Sequence, residues 1–302
     1  MLEFISNFLT ADIRTATPLL LAALGLVFSE RAGIVNIGTE GTMLVGALLG
    51  CCGSLLFGSA LMGALFAIAG GAIAGFLFAF FTVTLRSNQI VVGTAFNIFA
   101  GGFTITLNRL VLNGAKVQGY TSMPVPLLSN IPVLGNVLFN WSLPVYFSFV
   151  CVPLCWFVLY KTNLGLKIRA VGEYPKACDT VGINVFGIRY GTLIFGGMMA
   201  GLAGSFVSMG QLSSFVEGMV AGKGFMAVAV CVFGNYTPIS VMLAALLFGA
   251  ADALKYRLLT TSIGGYYQFL NMLPYAITIV ALCVFAKRSK KPASSGVAYR
   301  KE

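Results

Sequence analysis

The chain has no histidine and only nine acidic residues among 302. Without histidine the commonest general base and the commonest metal ligand are gone, and the Cys, Asp and Glu that remain show no metal-site spacing. Glu3, Asp12 and Glu302 lie near the termini, while Glu30, Glu40, Glu217 and Asp252 sit at or near apolar segments without an evident second carboxylate. An intramembrane protease or hydrolase therefore has no catalytic set to use, and neither a catalytic residue nor a metal site is expected. Charge of either sign is scarce, at 9% of residues against 58% hydrophobic, with a mean hydropathy of +0.91. Burying that much apolar surface away from water would need a far larger soluble chain. Short alternating segments, the mark of a membrane β-barrel, are missing as well. What remains is an all-α, polytopic membrane helical bundle.

Smaller absences narrow the reading. The start, "MLEFISNFLTADIRTATPLLLAALGLVF", lacks a basic n-region and a small-residue cleavage site, so the first apolar segment is expected to stay in the protein. The seven cysteines (51, 52, 151, 155, 178, 231 and 283) fall mostly within apolar runs, in an odd count without paired spacing, and read as small core residues. "GMVAGKGF", residues 218–225, falls short of a phosphate loop. Three residues instead of four precede its Gly-Lys pair, and Gly224 stands where Ser or Thr would hold magnesium. No cofactor is expected on this chain, and any ATP would have to be hydrolysed by another subunit. A net charge of +10 points to loops held in the cytoplasm before it points to nucleic acid, which is not expected as a partner.

Apolar segments fall near 15–29, 41–57, 60–85, 89–112, 144–160, 190–209, 223–234, 237–254 and 268–286. They predict about nine crossings, within a range of eight to ten, although 223–234 is too short to cross unless residues before Lys223 join it. If the tail "KRSKKPASSGVAYRKE" is cytoplasmic, alternation puts 161–189 inside and both 113–143 and the N-terminus outside. Arg31, Arg86, Lys161, Lys167, Arg169, Lys176 and Arg189 then join the six basic residues of the tail on the inner side. The organisation is one membrane domain over 1–286, with a cytoplasmic loop at about 161–189, and a basic tail at 287–302. Gly46 with Gly50, Gly71 with Gly75, and Gly197 with Gly201 have the spacing that lets helices approach closely in lipid.

The polar exception is "NLGLKIRAVGEYPKACDTVGIN", residues 163–184. Pro175 at a first helical position, Glu173 before it and Gly182 in the stop position punctuate a two-turn helix. So short a helix is marginal in water. It is expected to be held by docking, with Ala177, Cys178 and Val181 as the face that enters a groove. A merely solvated loop would explain the charges but not the placement of Pro and Gly.

"TNLGLKIRAVGEYPKACDTVGINV" resembles the coupling-loop signature of permease subunits in bacterial ABC importers, in the family that includes the ribose, branched-chain amino acid and nucleoside systems. "ATPLLLAALGLVFSERAGIVNIGTEGTMLVGALLG" (16–50) and "GKGFMAVAVCVFGNYTPIS" (222–240) resemble motifs of its nucleoside-type branch, and the resemblance covers nearly the whole chain. One departure is Cys178 where the family often has Ala. The resemblance implies a permease of the bacterial inner membrane, with its C-terminus in the cytoplasm. Its implied partners are two cytoplasmic ATPase subunits carrying ATP and magnesium, an extracytoplasmic substrate-binding protein and a second permease subunit, for which a different chain is favoured. The coupling positions it implies are Gly165, Arg169, Gly172, Ala177 and Gly182.

Polar residues within apolar segments mark a possible path for the cargo. An unpaired charge deep in a bilayer costs about 2.5–3.5 kcal/mol or more, so such residues face a partner or a wet cavity. Asn36 and Glu40 would share a helical face if their stretch is helical, and would then line the path or else bond neighbouring helices. Phe96 beside Asn97, in "NQIVVGTAFNIF", suits a planar ring with hydrogen-bonding edges such as a nucleobase, although Phe is also ordinary lipid-facing packing here. Nucleoside import is the leading function, with a simple sugar or a flavin-like ring as other cargo. The competing class is a secondary carrier driven by an ion gradient, which would rely on Glu40 and Asp252.

Overall fold

The computed structural model describes residues 2–124, 139–259 and 291–300, with single positions 268, 272 and 276 between the last two ranges. Among the described residues, seven helices are long and apolar enough to cross a membrane. They are α1 (Leu2–Arg31), α2 (Thr39–Phe57), α3 (Ala60–Thr84), α4 (Gln89–Leu112), α5 (Leu143–Lys161), α8 (Val185–Leu212) and α10 (Pro238–Leu259). Side-chain caps start three helical segments where the sequence changes character. Asn88 Oδ1 accepts from Ile90 N at 3.0 Å ahead of α4, Thr162 Oγ1 from Gly165 N at 3.2 Å, and Asn184 Oδ1 from Gly187 N at 2.9 Å ahead of α8.

The expected seventh crossing is half a helix. Helix α9 spans Lys223–Phe233, 11 residues, or about 16 Å at 1.5 Å per residue, against a hydrocarbon core of about 30 Å. Ahead of it, residues 213–216 are irregular, with Ser214 bridged to Lys116, and 217–222 are a run of turns. The ninth predicted segment, 268–286, lies outside the described residues apart from three positions, and residues 125–138 of the predicted 113–143 loop do too. Its described part pairs β1 (Ser122–Pro124) antiparallel with β2 (Asn140–Ser142).

Helices α1 and α8 form the centre. In α8, Gly197, Gly201 and Gly204 lie where a Cβ would strike the backbone of Gly71, Ala67 and Met43 respectively. Backbone meets backbone at these crossings, which is how helices associate in lipid, where neighbouring hydrocarbon offers no hydrophobic drive. Most of α1 and α8 is buried, whereas only 17% of the central window of α4 is. Helix α4 is a peripheral span that touches chiefly α2.

Between α5 and α8 the polar stretch folds as two helices, α6 (Asn163–Glu173) and α7 (Pro175–Thr180). Pro175 opens α7 as expected. Gly182, at φ +80°, donates its N–H to Asp179 O at 3.0 Å and stops it. Helix α6 was not foreseen.

Candidate functional site

Segment 32–38, between α1 and α2, leaves helical geometry inside the bundle, and side chains replace its missing backbone bonds. Val35 N donates to Gln89 Oε1 at 2.8 Å. Asn97 Nδ2 donates to Ile37 O at 3.0 Å, while its Oδ1 accepts from Gly41 N at 2.8 Å. The Asn36 N–H donates to the Glu30 carboxylate. Gln89 and Asn97 stand two turns apart on one side of α4, so α4 acts as a hydrogen-bonding rail for a chain that could not otherwise stay out of water. Asn36 itself is buried in this segment, and its Oδ1 has no hydrogen-bond partner among the described residues. Asn36 and Glu40 therefore do not share a helical face: Asn36 lies in the irregular segment and only Glu40 is helical, in the first turn of α2.

Glu40 reaches the second break. Its Oε1 accepts from Gly222 N at 2.9 Å and its Oε2 from Gly224 N at 2.7 Å, with the Phe225 N–H also directed at it. The carboxylate thus caps α9 from another helix, where the helix dipole favours negative charge. Lys223 lies in the field of Glu40, Asp252 and Lys255, and Asp252 pairs with Lys255 at 3.2 Å. Helix α9 ends at the level of Arg31, whose Nε donates to Tyr236 O at 2.9 Å. Glu40 and the start of α9 therefore lie about one 11-residue helix length, roughly 16 Å, from that contact. At the other end of α4, Arg109 pairs with Glu217 of the turn run at 3.1 Å, so α4 touches both breaks.

These contacts dispose of the acids a gradient-driven carrier would need. Glu40 is committed to backbone donors and Asp252 to Lys255, and the secondary-carrier alternative gains no support. Phe96, half-buried, borders an apolar groove of about 360 Å³ with Leu77, Phe81, Val92, Ala95 and Phe99. It stands one residue from Asn97 but away from the polar centre.

The five positions that the resemblance marks for coupling divide in two. Gly165 and Gly172 are buried: a Cβ on Gly165 would strike the Val158 and Leu159 carbonyls, and one on Gly172 the Arg31 carbonyl. Both let α6 press against the ends of α5 and α1. Arg169 is half-buried, with its guanidinium 5.0 Å from the Tyr160 ring centroid. Ala177 and Gly182 are exposed, beside Tyr174 and Val181, each 72% exposed. Cys178 belongs on the opposite side. It is 5% exposed, packed with Val171, Val185 and Tyr299, and this burial raises its thiol pKa. The outward face is Tyr174, Ala177 and Val181, not Ala177, Cys178 and Val181, because a 100° turn per residue puts neighbours 177 and 178 on different faces.

Sequence reasoning missed three things here. The first is α6, signalled by Leu164, Ile168 and Val171 at helical spacing; the second is the use of Glu40 as a cap. The third is the docking of residues 291–300 onto α6 and α8, for which Tyr299 in a basic tail was the available signal.

An irregular connection between α1 and α2 and the half-helix α9, joined through Glu40 in a bundle that shows a short apolar-faced helix at one end, fit a membrane transport permease. A family described as branched-chain amino acid transport system / permease component matches residues 8–282, and the chain belongs to it. It is 38% identical to the nucleoside ABC transporter permease protein NupC of Lactococcus lactis, covering 95% of this chain and 94% of NupC. It is 37% identical to the guanosine ABC transporter permease protein NupQ of Bacillus subtilis, covering 100% and 98%. A candidate glucose ABC transporter permease of Haloferax volcanii is 38% identical, covering 85% and 79%. In fold, the chain is similar to a solved inward-facing structure described as a metal-chelate type ABC transporter, with a TM-score of 0.50, 14% identity, and 93% and 85% coverage. The protein is thus a multi-pass membrane permease subunit.

Proposed function

We propose that this chain forms one half of the path through a bacterial inner-membrane importer that is driven by ATP and carries nucleosides. The carrying observation is α7, a two-turn helix turned so that Tyr174, Ala177 and Val181 face outward on a loop braced against α1 and α5. A cytoplasmic ATPase, holding ATP and magnesium, docks on that face. A second permease, favoured as a different chain, covers the open side of α4, and an extracytoplasmic binding protein delivers the cargo. This orientation puts α6–α7 and the C-terminus in the cytoplasm, in keeping with the gathering of basic residues there.

Nucleotide state acts as a population shift: docked coupling helices favour inward or outward access of the paired permeases. Gly165, Arg169 and Gly172 act from behind the docking face by fixing α6, whereas Ala177 and Gly182 belong to the face itself. Asn36, Glu40 and Asn97 shape the path by holding its broken backbone, and Phe96 lines its apolar flank. The nucleoside assignment follows NupC and NupQ, with the Haloferax candidate making glucose the cargo to test against.

The test is co-purification from the native membrane, then ATP hydrolysis stimulated by guanosine-loaded binding protein. Ala177→Pro and Arg169→Glu are expected to lose the stimulation. Purification without an ATPase, with solute uptake driven by an ion gradient, would sink the proposal. Thermal shift of the binding protein with guanosine against glucose decides the cargo.

A further inference from the structure

Residues 291–300 do not trail away from the bundle. Ser294 donates twice to Gly172 O, from its N–H at 2.9 Å and from its hydroxyl at 2.6 Å. The Ala293 N–H donates to the Glu173 carboxylate at 3.2 Å, so this strap is fastened to the last turn of α6. Two residues on, the Gly296 N–H donates to Gly33 O at 3.2 Å, where α1 ends and segment 32–38 begins. Arg189 Nη1, on α8, donates to Val297 O at 3.3 Å. Tyr299, 6% exposed, then closes over Cys178 and Val171, with its ring 5.6 Å from that of Phe186.

A tail of Lys, Ser, Gly and Ala has little apolar surface with which to order itself. This one is ordered by contacts to three separate elements. Its anchors straddle the joint where Gly172 meets Arg31 and Gly33 backbone to backbone. On one side of the joint is α6–α7; on the other is the segment that runs to Glu40.

We propose that residues 292–300 are a tie that binds the α6–α7 unit to segment 32–38, so that displacement of α7 by a docked ATPase reaches that segment and, through Glu40, the start of α9. The inference rests on the reading of α7 as the ATPase-coupling helix. Ser294 and Tyr299 are positioning residues: they touch neither cargo nor nucleotide, and they act by stopping α7 from rocking independently of the joint. A two-turn helix is too short to resist such rocking alone.

The test uses the complete importer in liposomes, with guanosine-loaded binding protein. Tyr299→Ala and Ser294→Pro are expected to retain the ATPase and to keep basal hydrolysis. Substrate stimulation and uptake should both fall by at least about fivefold, and Tyr299→Phe should preserve them. Tyr299→Ala should also speed labelling of Cys178 by an impermeant maleimide applied from the cytoplasmic side, which reports release of the strap whatever happens to activity. If Ala177→Pro abolishes stimulation while released-strap variants keep it, the tie is overturned and the coupling reading stands. Loss of the ATPase from the strap variants would also overturn it, since the strap would then be docking surface. Should Ala177→Pro itself leave stimulation intact, the coupling reading fails and takes the tie with it.

Discussion

The membrane interior and the loop between α5 and α8 treat unlike residues in inverse ways. Inside the bundle the polar side chains are hidden and committed to backbone: Glu40 to the start of α9, Gln89 and Asn97 to segment 32–41. In the loop between α5 and α8 it is the apolar side chains that are displayed, with Tyr174 and Val181 turned outward. Polarity in the first region maintains an unusual backbone; apolarity in the second is the surface proposed to dock a partner. A residue out of character with its surroundings therefore has two meanings, and its hydrogen-bond ledger separates them.

Four substitutions sharpen or break this contrast. Glu40→Ala is expected to have the largest effect. It strands the part-buried Gly222 and buried Gly224 donors and leaves Lys223 short of a counter-charge, a loss of about 3–5 kcal/mol. The readout is thermal inactivation in detergent, with Glu40→Gln intermediate; an unchanged midpoint would break the interior half of the contrast. Asn97→Leu follows, at about 2 kcal/mol for two lost bonds in a bundle that otherwise keeps its packing. Hydrogen exchange at Gly41 should accelerate with it.

Val181→Asp should act in the opposite manner, leaving thermal stability alone while lowering substrate-stimulated ATP hydrolysis by about tenfold, near 1.4 kcal/mol. A destabilised but fully coupled variant would show that α7 displays nothing. Phe96→Ala is expected to be mildest. Its groove is apolar and open, so truncation should cost less than about 1 kcal/mol and change uptake by under about twofold. A large and selective loss of guanosine uptake would instead place Phe96 against the cargo.

The long helices were readable because a membrane span announces itself by length and apolarity, and so was α7, from Pro175 and Gly182. What the sequence concealed were contacts whose partners are main-chain groups. Nothing in the letters around Glu40 says that it meets N–H groups at 222 and 224, since every residue but proline carries the same donor. The nine-crossing expectation flagged 223–234 as too short, and it is indeed a half-helix completed by turns. Cys178 was placed on the wrong face because two adjacent small residues leave the phase of so short a helix undetermined. Gly165 and Gly172, named for coupling in the sequence, lie where backbones meet at α6, a contact that spacing alone did not show.

The clasp between Glu40 and α9 also has a timetable. Residue 40 leaves the ribosome 182 residues before residue 222, an interval of about 9–36 s at ordinary elongation rates. Segment 32–38 meets its first helpers sooner, since Gln89 follows Val35 by only 54 residues. During biogenesis the α1–α4 portion must therefore wait in the bilayer with a bare carboxylate. A nascent chain cut short before residue 222 would leave that carboxylate unclasped, a mark by which quality control could tell unfinished chains from finished ones.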